Sequence, residues 1–186
     1  MHRELDVGQS ALLTDIAMCV NYYRLFSPGV YCCIHVPVQI DAETRITPGV
    51  IAQVNHGKLK QADPGPDYDF FRGPPNFVLD VFPAGESEEY EQRRDSYERA
   101  GVIEYVALWD TDPLEWKWNR LSEGSFSVIE TVEEEIIMST ALPGLWMRTS
   151  ALKKRDWWTI MANIARGVSR DGHHHFMDTI WNPGKS

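Results

Sequence analysis

The sequence predicts an α/β fold in which a mixed β-sheet is flanked by helices. Three observations lead to this prediction. Apolar residues recur at helical spacing near the N-terminus, several short apolar runs read as strands, and a charged segment with helix start and stop signals separates two of those runs. The resulting order, helix, hairpin, strand, helix, strand, hairpin, is typical of a mixed sheet covered by helices.

Composition and charge exclude several classes of protein. The chain has 186 residues, 43% of them hydrophobic and 24% charged, which is typical of a single globular domain. Its formal charge of −9 argues against a nonspecific electrostatic grip on nucleic acid, because that grip requires clustered Lys and Arg. The three cysteines show no CxxC spacing, which favours reduced thiols and a cytoplasmic protein. The sequence contains no apparent signal peptide or membrane span, so we expect no membrane partner.

The first part of the chain predicts a helix followed by a hairpin. Apolar residues at helical spacing indicate a helix over about residues 5–26. The stretch "VYCCIHVPVQI" then alternates as one strand that places Cys32 and Cys33 on opposite faces, and Pro37 predicts an edge position or a bulge. The next run, "ITPGVIAQVN", is expected to pair with it. A polar loop follows over residues 56–75.

The central part predicts a strand, a helix and a second strand. "NFVLDVF" is an apolar strand, and "PAGESEEYEQRRDSYERAG" has acids early, arginines late and Gly101 at its end, as expected of a helix. "VIEYVALWD" is a nearly continuous apolar run, which indicates a strand covered on both faces.

The last part predicts a hairpin, a helix and a tail. "PLEWKWNRL" and "FSVIETV" are expected to form the hairpin, whose Trp-rich face predicts a homodimer because it offers more apolar surface than one small domain hides. A final helix is predicted over residues 153–168, with "HHH" at 173–175 in an exposed tail. We therefore expect one domain over residues 1–152, with residues 153–186 packed on it or extending from it.

Asp80 is the residue of greatest functional interest. It stands in the middle of the predicted "NFVLDVF" strand, where a desolvated charge costs several kcal/mol unless it is paired. Taken from the residues alone, it occupies a solvated edge, faces a partner arginine, or binds a divalent cation. A structural role is the commoner of these outcomes for a mid-strand Asp.

Four stretches carry a family resemblance: "VYCCIHVPVQIDAETRITPGVIAQV", "PPNFVLDVF", "RRDSYERAGVIEYVALWD" and "ALPGLWMRTSAL". They resemble the Uma-type putative restriction endonucleases of the PD-(D/E)XK nuclease superfamily, over about residues 10–152. The resemblance implies a restriction-endonuclease-like fold. It also implies a site of two acids and a lysine, with Mg²⁺ to activate water for phosphodiester hydrolysis.

Mapped onto this chain, the implied site is incomplete. The second acid falls on Asp80, the candidate metal ligand, and the lysine falls on Arg93, four residues before Tyr97 on the same helical face. The first acid falls on Gly49, which has no side chain to bind a metal. Asp67 or Asp69 in the polar loop could supply a carboxylate instead.

Two classes of function follow from this mapping. The first is a metal-dependent nuclease with candidate catalytic residues Asp80 and Arg93, weakly bound Mg²⁺ and DNA as substrate. The second is a noncatalytic DNA-binding or protein-interaction module on the same fold. Gly49 and the acidic balance favour the second class, whereas Asp80 and the positive charge of Arg93 favour the first.

Overall fold

The computed structural model describes residues 4–129 and 135–182 of the chain, so the end of the predicted "FSVIETV" strand, residues 130–132, lies outside the described residues. The helices are α1 Val7–Leu25, α2 Glu88–Ala100, α3 Thr149–Lys153, α4 Trp157–Val168 and α5 Asp171–Trp181, with a short 3-10 turn at Gly57–Leu59. The strands are β1 Val30–Ile34, β2 Val38–Gln39, β3 Arg45–Ile46, β4 Val50–Val54, β5 Asp63–Pro64, β6 Phe71–Arg72, β7 Phe77–Pro83, β8 Glu104–Asp110, β9 Glu115–Ser122, β10 Ser125–Val128, β11 Ile136–Met138 and β12 Trp146–Arg148.

The main sheet has six strands in the order β1-β4-β7-β8-β9-β10. The pair β7–β8 is parallel, and the other neighbouring pairs are antiparallel. The parallel pair requires a crossover, which α2 provides, whereas short turns join β8 to β9 and β9 to β10. This mixed sheet with flanking helices confirms the fold class predicted from the sequence.

Two apolar cores cover the two faces of the sheet. The larger core joins one sheet face to buried side chains of α1, α3, α4 and α5. The smaller core joins the other face to Tyr90 and Tyr97 of α2. Cys32 packs against the larger core and Cys33 against the smaller one, as predicted from their adjacent positions in β1. Residues 153–182 therefore contribute side chains to the same core as the N-terminal helix.

The predicted strand over "VYCCIHVPVQI" is two strands in two sheets. β1 ends at Ile34, and His35 then adopts a left-handed conformation with φ 53°, which turns the chain out of the main sheet. β2 joins a separate sheet of order β3-β2-β6-β5, in which each strand has two residues. Two of these strands, β5 and β6, lie in the predicted polar loop. They were not predicted because a strand of two residues leaves no alternating pattern in a sequence.

The C-terminal prediction is partly wrong. The helix predicted over residues 153–168 is present as α4 from Trp157, but "HHH" is not an exposed tail, because it forms part of α5. His173 is 3% exposed. Its Nδ1 lies 2.8 Å from the carbonyl oxygen of Pro143 and its Nε2 lies 3.1 Å from that of Phe26. α5 is amphipathic, and its buried residues His173, Phe176 and Ile180 stand at helical spacing.

The Trp-rich hairpin does not expose the apolar face expected of it. β9 and β10 pair as predicted, but Trp118 is fully buried and Leu114 is 2% exposed, both within the larger core. The chain itself covers this face, so the hairpin no longer supports the predicted homodimer. None of the helices in the two described ranges is long and apolar enough to cross a membrane.

Candidate functional site

Asp80 lies in the middle of β7, between antiparallel β4 and parallel β8. Its neighbours on the same strand face, Val78 and Phe82, belong to the core beneath α2, so its carboxylate also points to the α2 side of the sheet. The residue is only 4% exposed. A charge at this depth is tolerated only with partners.

The carboxylate of Asp80 has three partners. The backbone N–H of Gly49 donates to Oδ1 at 2.7 Å, and the hydroxyl of Tyr97 lies 3.3 Å from Oδ2. Nη1 of Arg93 lies 3.3 Å from each oxygen. The residues alone allowed three interpretations of Asp80: a solvated edge, a partner arginine or a divalent cation. The structure shows the partner arginine. The two predicted site residues, Asp80 and Arg93, are brought together as a buried ion pair.

Arg93 is held on every side of its guanidinium group. Its Nε donates to Glu89 at 2.9 Å, one turn earlier on α2, and Nη1 also donates to the carbonyl of Thr47 at 3.2 Å. The side chain is 15% exposed, so it is not an ordinary solvated helix charge. Burial by itself would lower the pKa of Arg93, but the nearby Asp80 carboxylate raises it above its usual value. Arg93 is therefore a fixed cation that cannot deprotonate a water.

Two buried tyrosines complete the polar layer between α2 and the sheet. Burial, reinforced by the Asp80 carboxylate, raises the pKa of Tyr97 and of Tyr105 well above the usual value. Both phenols are therefore neutral, and Tyr97 serves as a hydrogen-bond donor to Asp80. The hydroxyl of Tyr105 has no hydrogen-bond partner in the described part of the chain, although its ring lies 4.8 Å from that of Tyr97.

Gly49, the position at which the resemblance implies the first acid, has no room for a side chain. A Cβ atom built there would lie 2.9 Å from the backbone oxygen of Leu79 and 2.9 Å from Cδ1 of Leu13. The contact with Leu79 involves backbone, which cannot rotate away as a side chain can. The space that a carboxylate would need is therefore closed, and the N–H of Gly49 is directed at Asp80 instead.

The residues around Asp80 do not fit a divalent cation. Mg²⁺ prefers several oxygen ligands, and carboxylates supply most of its affinity. Within residues 4–129 and 135–182, no group of three or more His, Cys, Asp and Glu side chains is placed to hold a metal. Asp69 pairs with Arg45 at 3.9 Å, and neither Asp67 nor Asp69 lines the pocket at Asp80. The structure does not bring these two predicted substitutes to the site.

The pocket at Asp80 is small, with a volume of about 30 Å³, enough for a water molecule or two. The side chains that border it include Leu5, Leu13, His35 and Glu89. The first two are apolar and come from the start of the chain, from which no site residue was predicted. Their contribution depends on tertiary packing, for which the local sequence carries no signal.

A second buried ion pair was missed in the sequence. Glu104 of β8 is fully buried and accepts a hydrogen bond from Nε of Arg120 at 2.9 Å. The backbone N–H and hydroxyl of Thr140 also donate to it, at 3.0 and 2.9 Å. These contacts join the main sheet to the segment between β11 and β12, which indicates a structural role for Glu104. The signal was available, since Glu104 interrupts the apolar run "VIEYVALWD" as Asp80 interrupts "NFVLDVF".

Comparison with known proteins agrees with this architecture. No curated protein matches the chain as a relative. Among solved structures, the crystal structure of a putative nuclease belonging to DUF820 from Anabaena variabilis is similar, with a TM-score of 0.63 over 83% of this chain and 84% of that one, at 8% identity. At this identity the likeness establishes the fold alone. The profile of a family described as putative restriction endonucleases, Uma2, matches residues 9–151. Because that match covers most of the chain, the protein belongs to the Uma2 family.

Proposed function

We propose that this chain is a noncatalytic member of the Uma2 family, in which an incomplete phosphodiesterase site remains on a fold used for binding. The observation that carries the proposal is the position of Arg93, whose Nη1 lies 3.3 Å from both oxygens of Asp80. A divalent cation bound at Asp80 would have to displace this guanidinium group. The chain therefore provides its own cation at the carboxylate where the family resemblance implies a metal.

The free energies involved support this proposal. Removing one partner of a buried ion pair costs about 3–5 kcal/mol. A site built around one carboxylate would hold Mg²⁺ weakly, and even a millimolar dissociation constant corresponds to only about 4 kcal/mol. Displacement of Arg93 would consume most of that binding free energy. We therefore expect no saturable Mg²⁺ binding at Asp80 in the millimolar range.

Calorimetric titration with Mg²⁺ and Mn²⁺ tests the absence of a metal site. The wild type and Asp80→Asn should give the same, unsaturated heats. Micromolar affinity in the wild type that disappears in Asp80→Asn would mean that Arg93 moves aside and that other groups complete the site. That result would refute the proposal.

A weak metal-dependent nuclease is the second candidate function, and one observation favours it. Glu89 lines the same pocket as Asp80, so movement of Arg93 away from both would leave two carboxylates facing one space. Nicking of plasmid DNA in Mg²⁺ or Mn²⁺ separates the two functions. The wild type, Arg93→Lys and the control Arg94→Lys, an arginine that pairs with Glu91 on the same helix, should all match the buffer rate. Wild-type nicking that Asp80→Ala abolishes would establish the nuclease instead.

DNA is the partner that family membership suggests for a noncatalytic module. The net charge of −9 opposes a general attraction to phosphates, so any binding must come from a local surface. Fluorescence anisotropy of a labelled duplex, read at about 50 and 200 mM salt, tests this. Binding that survives the higher salt supports DNA as the partner. No binding at either salt concentration would leave the protein-interaction role.

A further inference from the structure

The ring of His173 is held in an uncommon hydrogen-bonding position. The residue belongs to the first turn of α5 and is 3% exposed. Its Nδ1 lies 2.8 Å from the carbonyl oxygen of Pro143, and its Nε2 lies 3.1 Å from the carbonyl oxygen of Phe26. Both ring nitrogens therefore face acceptors, although a neutral imidazole has only one N–H to donate.

Neither neutral form of the ring satisfies both carbonyl groups. With the proton on Nδ1, the Nε2 lone pair faces the Phe26 carbonyl, which accepts no other hydrogen bond in the described parts of the chain. With the proton on Nε2, the Nδ1 lone pair lies 2.8 Å from the Pro143 carbonyl, which already accepts from the hydroxyl of Tyr23. The imidazolium form donates from both nitrogens, so it is the form that this position fits.

The electrostatics around the ring also favour a cation. Phe26 is the C-cap of α1, where the carbonyl groups of a helix carry partial negative charge. The first turn of α5 has the opposite polarity, which Asp171 partly offsets. Burial raises the pKa of Tyr23 above its usual value, so its hydroxyl is a neutral donor. Desolvation opposes the charge on the ring, and two charge-assisted hydrogen bonds compensate for it.

The other titratable groups near α5 do not share this position. His174 is exposed, with its ring centroid 6.4 Å from that of His173. His56 contacts the far end of the helix, where its ring lies 4.7 Å from that of Trp181. The charged side chains on the neighbouring elements and on α5 itself are exposed: Arg24, Lys58, Arg166, Asp171 and Asp178. In the segment before β12, the residues that contact the ring are Pro143 and Gly144, which have no titratable side chain.

We infer that His173 is a pH-sensitive switch, in which the doubly protonated ring ties α5 to the end of α1 and to the segment before β12. Loss of the second proton leaves one carbonyl facing a nitrogen lone pair, so α5 is then held less firmly. The stabilisation is therefore present in acid, below the pH of about 6.5 at which a free histidine titrates, and it is lost as the pH rises. Opening of α5 then exposes Phe176 and Ile180, whether or not the chain binds DNA.

Amide hydrogen exchange of the full chain, corrected for the intrinsic effect of pH, tests the switch at about pH 5.5 and about pH 8. The protection of α5 relative to that of α2 should be at least about tenfold greater at the lower pH. His173→Gln, whose side chain does not titrate, should abolish this dependence. The matched controls should retain it: His174→Gln changes an exposed neighbour on the same helix, and His56→Phe keeps an aromatic ring beside Trp181.

Nitrogen NMR of labelled histidine side chains identifies the protonated form itself. Both ring nitrogens of His173 should carry protons at about pH 5.5, and only one should do so at about pH 8. The signal is assigned by its absence from the spectrum of His173→Gln. A ring with the same number of protons at both pH values refutes the inference. So does equal relative protection of α5 at the two pH values, or a pH dependence that survives in His173→Gln.

Discussion

Replacing Arg93 by methionine tests the central interaction of the site. The change keeps the unbranched apolar stem of the side chain but removes the guanidinium group, which leaves the carboxylate of Asp80, 4% exposed, without its cation. Loss of one partner of a buried pair costs about 3–5 kcal/mol. The hydrogen bonds from Gly49 and Tyr97 remain, so we expect a loss near about 3 kcal/mol, the lower end of that range.

The matching experiment removes the carboxylate. Asp80→Leu leaves Arg93 buried, but that guanidinium retains Glu89 and the carbonyl of Thr47, so its cost should be smaller, about 1–3 kcal/mol. The double variant replaces the pair by two apolar side chains and should recover most of the stability, because buried ion pairs are often no better than apolar residues of similar volume. The coupling free energy of the pair should therefore exceed about 2 kcal/mol.

Urea unfolding followed by tryptophan fluorescence measures these differences. With a slope of about 2–3 kcal/mol per molar for a chain of this size, a loss of 3 kcal/mol shifts the midpoint by about 1–1.5 M. Arg94→Met is the matched control, because Arg94 lies on the same helix and pairs with the surface carboxylates of Glu91, Asp95 and Glu98. A loss below about 1 kcal/mol in Arg93→Met, or additive effects in the double variant, would show that the buried pair is not what holds α2 on the sheet.

Three further results are expected. Gly49→Ala and Gly49→Asp should each lower the free energy of unfolding in urea by at least about 2 kcal/mol, since both add a Cβ atom 2.9 Å from the backbone oxygen of Leu79. Unchanged stability would show that the backbone moves to make room. Nicking of DNA by folded Gly49→Asp/Arg93→Lys would show that an acid at residue 49 restores the site. Burial raises the pKa of the Cys19 and Cys32 thiols to about 12, so at pH 8 they should react with iodoacetamide about a thousandfold more slowly than a free thiol with its pKa near 8.5; rapid labelling of either in the folded protein would contradict its burial. His173→Phe removes the ring nitrogens that contact the carbonyls of Pro143 and Phe26, and should cost about 1 kcal/mol and speed amide exchange in α5, whereas exchange equal to the wild type would mean that the ring does not hold this helix.

The sequence predicted the framework of the site because its signals are local. Asp80 interrupts an apolar strand. The limits of α2 are indicated by early acids, late arginines and Gly101, whose φ of 87° confirms the helix end. The spacing between Arg93 and Tyr97 placed both on one helix face. The sequence does not show which face of α2 packs on β7. That packing decides whether the carboxylate of Asp80 contacts Arg93 or is left open to a metal.

Two errors have identifiable physical causes. The strand over residues 30–40 was predicted as continuous because apolar alternation persists through His35, where the backbone in fact turns away. The "HHH" segment was predicted as an exposed tail because consecutive histidines lack the spacing of a structural metal site, although His173, Phe176 and Ile180 already show helical spacing. The helical spacing of these three residues was the better guide to their burial.

The arrangement of β7, α2 and β8 has a consequence for how the protein folds. Asp80 contacts Arg93 and Tyr97 at separations of 13 and 17 residues, and both strands of the parallel pair belong to the same stretch of chain. Such contacts close short loops of chain. Closing a short loop costs less conformational entropy than bringing β1 or α5 into contact with this segment. The ion pair can therefore form while the termini are still unstructured. We expect the β7–α2–β8 segment to form early and to be the last to exchange its amide hydrogens in the native protein.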